Sequence, residues 1–400
     1  MPNKNTTPRN VLMPNAPRRL HRVSQSALVL AVIVRIGLFD AAPTLACPFC
    51  QAVKPSFAQQ RESAATVLLA EVAKKEGEQV TFRIHRALRD NQLLPSKESL
   101  SLKISAPLKV GGLVILTAQG SADMKYEAWE WTALPVNETS AAYFVRTPDL
   151  RMKNPDRLKN FAKYLENADS SIAEDAFLEF GHAPFDEVQQ VADSLPQAKL
   201  RDWINDAQIP DGRQGFYGLA LGLAKDATDR RANRELLQTK IAEKKTDFRA
   251  GFDGLLAGYL LLEKDTALAD VSEKFFANRD AAGGDVRHAH AALRFYYEFG
   301  RDIPKEKLAA ALRPAILRSE ISAAVITDLA RWKDWESLIS IVGLYDQKEF
   351  SAPDIRTAII GYLSVCPLPT AATELDRLKK FDPDGVRDAL ERFTSLSGGK

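Results

Sequence analysis

Hydrophobic and polar residues alternate in two early segments of the chain, and a period of two is typical of strands with one buried face. Other early segments are continuously apolar, which favours more deeply buried strands, and Gly111-Gly112 predicts a turn before one of them. The predicted strands are 65–72, 81–85, 100–105, 113–116, 126–134 and 143–146. Short strands in this succession predict a small antiparallel β-barrel or β-sandwich that ends near residue 150.

From Asn154 onward the pattern changes to amphipathic runs of ten to sixteen residues, separated by Pro, Gly and Asp. Several prolines stand where a first helical turn accepts them, because that position needs no backbone N–H. They are Pro155, Pro304, Pro353 and Pro383. The second part is therefore predicted to be all-helical, and the whole chain to be α+β.

Two segments of the helical part share the pattern Arg-x-Gly-Phe-x-Gly-Leu-x-x-Gly. They begin at Arg213 and Arg249, 36 residues apart. Weaker copies lie near Ala173, Arg287 and Arg356. A period of this length, built from helix pairs, indicates an α-solenoid.

The repeated glycines need a reason, because each costs about 1 kcal/mol relative to alanine inside a helix. They are Gly215, Gly218, Gly222, Gly251, Gly254 and Gly258. Their spacing places them on one helix face, so we predict that they let neighbouring helices approach closely. A phosphate-binding loop is the less favoured alternative, since no strand precedes the motif.

The first 46 residues have the three parts of an export signal. Basic residues from Arg18 to Arg22 precede an apolar stretch, 27–39, and small residues at 42–46 suit a signal peptidase. The stretch is short for a transmembrane helix and contains Arg35, so cleavage before Cys47 is the favoured prediction. Retention of the segment, lipidation of Cys47 and a start at Met13 remain alternatives.

The composition, 45% hydrophobic and 26% charged, is that of a globular protein. Removing residues 1–46 from a chain with 54 basic and 52 acidic residues leaves 48 and 51, a formal charge of −3. Such a chain is not predicted to bind nucleic acid, and it would meet a membrane only through a retained signal or a lipid at Cys47. Its length predicts two domains after the signal, 47–150 and 151–400.

Cys47 and Cys50 form the only closely spaced thiol pair. A plain disulfide or tether and a reactive redox pair both remain open, whereas Gln51 excludes a c-type haem, which needs His there. His288 and His290 stand two residues apart on a predicted helix, where side chains diverge, so no metal site is predicted. Neither a nucleophile elbow nor a Walker loop is present, and no catalytic residue or cofactor is predicted.

Aromatic clusters are the remaining candidates for binding a partner. The candidates are Trp129, Trp131, Tyr296, Tyr297, Trp332 and Trp335. Core packing is the alternative for each of them. An exposed aromatic strip would instead form a protein or glycan docking surface.

Cys47 followed by the alanine-rich segment 64–72 resembles the opening of netrin-like modules and tissue metalloproteinase inhibitors, and the segment 111–116 is similar to a strand of that family. The resemblance implies an OB-type barrel and an inhibitor that chelates a protease zinc through the amine and carbonyl of Cys47. The family's distant disulfide partners have no counterpart here. The helical part is similar to HEAT-like repeat regions of exported bacterial proteins of unknown function.

We therefore expect an exported, periplasmic or secreted scaffold without catalytic activity that binds a protein of the cell envelope. Two alternatives remain. One is a thiol redox protein that uses Cys47 and Cys50, and the other is a protease inhibitor that acts through Cys47.

Overall fold

The computed structural model describes residues 54–89, 98–121, 124–243 and 249–398, and these belong to one compact unit, Leu45–Lys400. An antiparallel sheet is followed by a long series of helices, so the protein is α+β as predicted. The predicted signal, Cys47 and Cys50 lie outside the described residues. The domain boundary near residue 150 stays a prediction.

Five strands form the sheet in the order β3-β2-β1-β4-β5, and each neighbouring pair is antiparallel. They are β1 (Thr66–Glu76), β2 (Gln79–Arg89), β3 (Ser99–Lys103), β4 (Leu113–Gln119) and β5 (Glu130–Val136). Gly77, with φ 62°, makes the tight turn between β1 and β2, a conformation that a residue with a Cβ rarely adopts.

The two faces of the sheet are buried in different ways. One face encloses a separate apolar core that includes Leu68 and Leu116, whereas the opposite face carries Val67 and Ile115 into a core that continues through the helices. Burial on both faces explains why β1 and β4 have continuous apolar runs where they pair with each other.

Two helices cover the sheet face that meets the helical core, α1 (Phe57–Ser63) and α2 (Glu138–Arg146). The prediction of a strand at 143–146 was wrong. The side chain of Asn137 accepts a hydrogen bond from the backbone N–H of Ser140, and the Ser140 hydroxyl accepts one from the backbone N–H of Asn137. This capping box starts a helix, and local capping outweighs the strand preference of the aromatic residues that follow.

The remaining helices follow the sheet, and those from α7 onward alternate between two positions. They are α3 (Asp156–Ala162), α4 (Ser170–His182), α5 (Phe185–Gln190), α6 (Gln197–Asn205), α7 (Asp211–Leu221), α8 (Ala227–Ala242), α9 (Phe252–Glu263), α10 (Asp265–Val271), α11 (Gly283–Phe299), α12 (Lys305–Leu312), α13 (Ser322–Arg331), α14 (Leu338–Val342), α15 (Pro353–Val365), α16 (Pro369–Phe381) and α17 (Pro383–Gly398). Helix α7 packs on α9, α9 on α11, α13 on α15 and α15 on α17. The even-numbered helices from α8 to α16 lie beside this row, each against a member of it.

Among the described residues, no helix combines the length and the apolar character that crossing a membrane requires.

Candidate functional site

The repeated glycines line the contact between α7 and α9. A Cβ added at Gly254 would lie 1.9 Å from the carbonyl oxygen of Gly215, and one at Gly258 would lie 2.0 Å from that of Gly218. A Cβ at Gly222 would lie 2.5 Å from the Gly258 carbonyl oxygen. The two backbones touch where these residues have no side chain, so the contact leaves no space for a ligand between the helices.

Gly251, the remaining glycine of the two motifs, is the N-cap of α9 and has a φ of 77°. A Cβ there would lie 2.5 Å from the backbone nitrogen of Gly215. Both the left-handed backbone and the close contact therefore require glycine at this position.

The arginine of the repeated motif joins neighbouring helices. Arg213 is buried, and its Nη1 lies 2.9 Å from Glu166 Oε1 while its Nη2 lies 2.6 Å from Glu174 Oε2. Arg249, at the equivalent position of the next copy, lies 3.5 Å from Asp285 on α11. These ion pairs connect α7 to α4 and the start of α9 to α11, and both arginine side chains are withdrawn from solvent, which suits a structural role.

The two histidines of α11 contact opposite neighbours. His288 Nδ1 lies 3.5 Å from Asp253 Oδ2 on α9, and His290 Nε2 lies 2.8 Å from Asp328 Oδ2 on α13. The imidazoles therefore diverge, as residues two positions apart on a helix must. Over the described ranges, no group of three or more His, Cys, Asp or Glu side chains is arranged to hold a metal ion.

Asp175 of α4 holds the sheet part and the helical part together. Its Oδ1 accepts a hydrogen bond from the backbone N–H of Phe57 at 2.6 Å, and its Oδ2 accepts one from the Tyr143 hydroxyl at 2.7 Å. Burial raises the pKa of Asp175 to about 6, against the lowering effect of these two hydrogen bonds. Asp175 was not among the site residues predicted from the sequence, where its only signal is a carboxylate on the apolar face of a predicted helix.

Burial corrects two of the predicted surface aromatics. Trp129 is 4% exposed and Tyr296 is 1% exposed, so both belong to the core and the prediction that they form a partner surface was wrong. The Trp129 ring packs over Gly120, where an added Cβ would lie 2.1 Å from it. The indole N–H of Trp129 donates to the Ser121 carbonyl at 3.3 Å, which satisfies its one polar group inside the fold.

Trp131 and Trp335 are half-buried and serve as packing residues. Trp131 lies against the core enclosed by the sheet, and its indole N–H donates to the Tyr126 carbonyl at 2.7 Å. The Trp335 ring meets the Tyr362 ring edge-on, with centroids 5.3 Å apart. Each presents only part of its ring to solvent.

Tyr297 and Trp332 remain as an aromatic pair at the surface. Their rings stack with centroids 4.0 Å apart and 5° between their planes, and both residues are half-buried. The Lys305 ammonium lies 4.5 Å from the Tyr297 centroid. Beside them, Arg294 Nε and Arg331 Nη1 lie 3.1 Å and 3.5 Å from the carboxylate of Asp328.

This group of exposed and half-buried side chains, contributed mainly by α11 and α13, is called the α11–α13 surface below. It consists of Arg294, Tyr297, Lys305, Arg331 and Trp332. Its two aromatic residues were predicted from the sequence as candidates for binding, but its three cations were not. Two of the cations have a signal in the sequence, because Arg294 stands one helical turn before Tyr297 and Arg331 directly precedes Trp332.

In comparisons with known proteins, no family model, no curated protein and no solved structure matches this chain. Function is therefore inferred from the residues and their geometry alone.

Proposed function

We propose that this chain is an exported scaffold without catalytic activity, and that its row of helices presents a binding surface to a protein of the cell envelope. The segment 1–46 would direct export, and the mature protein would act in the periplasm or outside the cell. We also propose that the sheet part is an OB-type module and that the helices form a HEAT-like α-solenoid.

The observation that carries this proposal is that the side chains of the row fall into two groups. One group pairs with neighbouring helices, and the other stays accessible to solvent. Arg213, His288 and His290 each pair with a carboxylate on a different neighbouring helix, so they do not converge on one site. Aromatic and cationic side chains, by contrast, remain accessible together on the α11–α13 surface. Aromatic residues and Arg are enriched in protein interfaces, so this surface favours a binding role.

Site-specific photo-crosslinking in the native cells tests the proposal. A photo-reactive amino acid is placed at Thr327, an exposed residue of α13, and in a matched control at Thr373, an exposed residue of α16. The two sites are alike, since each hydroxyl bonds the carbonyl one turn earlier, Ala323 for the first and Pro369 for the second. We expect a discrete protein adduct from position 327 and none from position 373.

Two outcomes would contradict the scaffold role. If neither position gives an adduct, and alkylation of the exported protein shows that Cys47 and Cys50 cycle readily between thiol and disulfide, the redox alternative replaces it. If the exported protein inhibits a zinc protease only when Cys47 is the free N-terminus, the inhibitor alternative replaces it.

A further inference from the structure

The α11–α13 surface holds more positive charge than its own contacts use. Asp328 is 4% exposed in its side chain, and it accepts contacts from His290, Arg294 and Arg331 at once. Within the described ranges, Asp328 is the only acidic residue at ion-pair distance from either arginine. One buried carboxylate therefore contacts two guanidinium groups. Glu306, whose charge acts on Tyr297, adds a second negative charge nearby, so the three cations of the surface are only partly compensated.

Both guanidinium groups are accessible to a partner. The Arg294 side chain is 51% exposed and the Arg331 side chain is 66% exposed. Each guanidinium carries five N–H donors in a planar arrangement that matches a carboxylate, and the contact with Asp328 uses few of them. The shared carboxylate also limits the conformational freedom that binding would otherwise cost.

Aromatic side chains adjoin these charges on both helices. Tyr297 follows Arg294 by one turn, and Trp332 follows Arg331 directly. The two aromatic rings stack on each other between α11 and α13. Small side chains, Ala291 and Ala324, are partly or fully exposed on the same two helices. These two positions therefore carry no bulky side chain that would obstruct a bound segment.

We propose that the α11–α13 surface binds an acidic segment of the partner protein, with carboxylates of that segment on Arg294 and Arg331 and an apolar side chain against Trp332. This proposal rests on the proposed scaffold function and names the chemistry of its partner. Complementary charge at the rim of an interface contributes mainly to the association rate and to specificity, so binding should weaken with salt.

The test measures binding of the exported full chain to a short fluorescent peptide of alternating Glu and Phe, by fluorescence anisotropy. A peptide with Gln in place of Glu is the ligand control. We expect the acidic peptide to bind more tightly, and the Arg294→Gln/Arg331→Gln variant to bind it about tenfold more weakly. Arg331→Lys should keep part of the affinity, because it keeps the charge but loses the planar donors.

The matched control variant is Arg387→Gln on α17. Arg387 is 59% exposed and pairs with Asp384 three residues earlier, as Arg331 pairs with Asp328, but it has no aromatic stack beside it. Its replacement should leave peptide binding unchanged. Because removal of both arginines leaves Asp328 less compensated, thermal melting is recorded for every variant, and the single Arg331→Gln variant decides if the double variant does not fold.

Three results overturn this inference: equal affinity for the Glu and Gln peptides, unchanged affinity in a folded Arg331→Gln or double variant, or an equal loss in Arg387→Gln. Arginine-dependent binding to anionic lipid vesicles that exceeds peptide binding would assign the surface to a membrane instead. If crosslinking from Thr327 persists but the acidic peptide does not compete with it, the scaffold function stands and only the acidic partner is wrong.

Discussion

Asp175 joins residues that are far apart in the chain, because the Phe57 backbone that it accepts from lies 118 positions earlier. Its carboxylate is buried next to the ion pair of Arg157 and Glu179, which is also withdrawn from solvent. Burial disfavours the charged form, which is why its pKa is raised from 3.8 to about 6. At neutral pH the carboxylate is therefore ionised, and its charge is less favourable in this buried position than it would be in water.

Replacing Asp175 by Asn should change how stability depends on pH. A carboxyl group whose folded pKa is raised contributes stability that is fully present below its unfolded pKa and is lost as pH rises through its folded pKa. The wild type should therefore lose about 2 kcal/mol relative to Asp175→Asn as pH rises from about 4 to about 7. Urea unfolding of both proteins across this range measures the difference, and parallel pH profiles would contradict the assignment.

Lys333 ends α13 in a conformation that favours glycine. Its φ is 60°, and the backbone N–H groups of Asp334 and Lys333 bond the carbonyls of Leu329 and Ala330. This pair of bonds is the Schellman motif, in which the left-handed residue is usually Gly. Lys333→Gly should raise the free energy of unfolding by about 1 kcal/mol, whereas Lys333→Ala, which keeps the Cβ, should not. Equal melting temperatures for both variants would show that the backbone is not strained.

At the scale of elements, the contact between α7 and α9 depends on the absence of side chains. Helix packing normally separates axes by the thickness of interlocking side chains, about 8–10 Å. Here a Cβ would meet backbone atoms of the facing helix, which cannot move aside as a flexible side chain can. The stability lost by placing glycine inside both helices is offset by the packing that their close approach allows.

Gly254→Ala should therefore lower thermal stability. The gain in helix propensity is about 1 kcal/mol, but overpacking costs about 1–3 kcal/mol, and a Cβ at 1.9 Å from a backbone carbonyl oxygen lies at the costly end. Gly254→Leu should lose more. The control is Gly284→Ala near the start of α11. An added Cβ there would meet no atom within 4 Å outside the backbone of its own helix, so stability should rise. A melting midpoint that stays the same or rises for both Gly254 variants would contradict a close helix contact.

At the scale of the whole molecule, the helices share one hydrophobic core with the sheet face that carries Val67 and Ile115. That core runs from Phe57 and Val67 through Phe144 to the C-terminal helices. The Phe57 and Phe144 rings pack at 55° to each other at the junction, with centroids 4.7 Å apart. Separate expression of the two predicted domains would expose this apolar contact to water.

A fragment of residues 152–400 tests how far the parts depend on each other. It should be strongly helical by circular dichroism, because the repeat contacts lie within it. It should also melt at a lower temperature than the chain from residue 47, since Asp175 and its apolar neighbours lose Phe57, Tyr143 and Phe144. Equal melting temperatures would show that the junction contributes no stability, and substantial strand content would contradict the division near residue 150.

Local patterns in the sequence determine much of this architecture. The period-two alternation around Phe82 and Leu100 predicts strands, because side chains of a strand point to opposite faces whatever the neighbours are. The motif that begins at Arg213 and again at Arg249 predicts two equivalent helices, because the same spacing of glycines places them on the same helix face. By themselves, these patterns indicate the α+β class and the change of structure near residue 150.

Tertiary structure alone decides which side chains are accessible and which charges meet. Trp129 and Trp332 look alike in sequence, but one packs over Gly120 inside the fold and the other stacks on Tyr297 at the surface. The raised pKa of Asp175 likewise depends on contacts from distant parts of the chain. Burial and electrostatic environment are set by elements that meet only in the folded chain, so no local pattern encodes them.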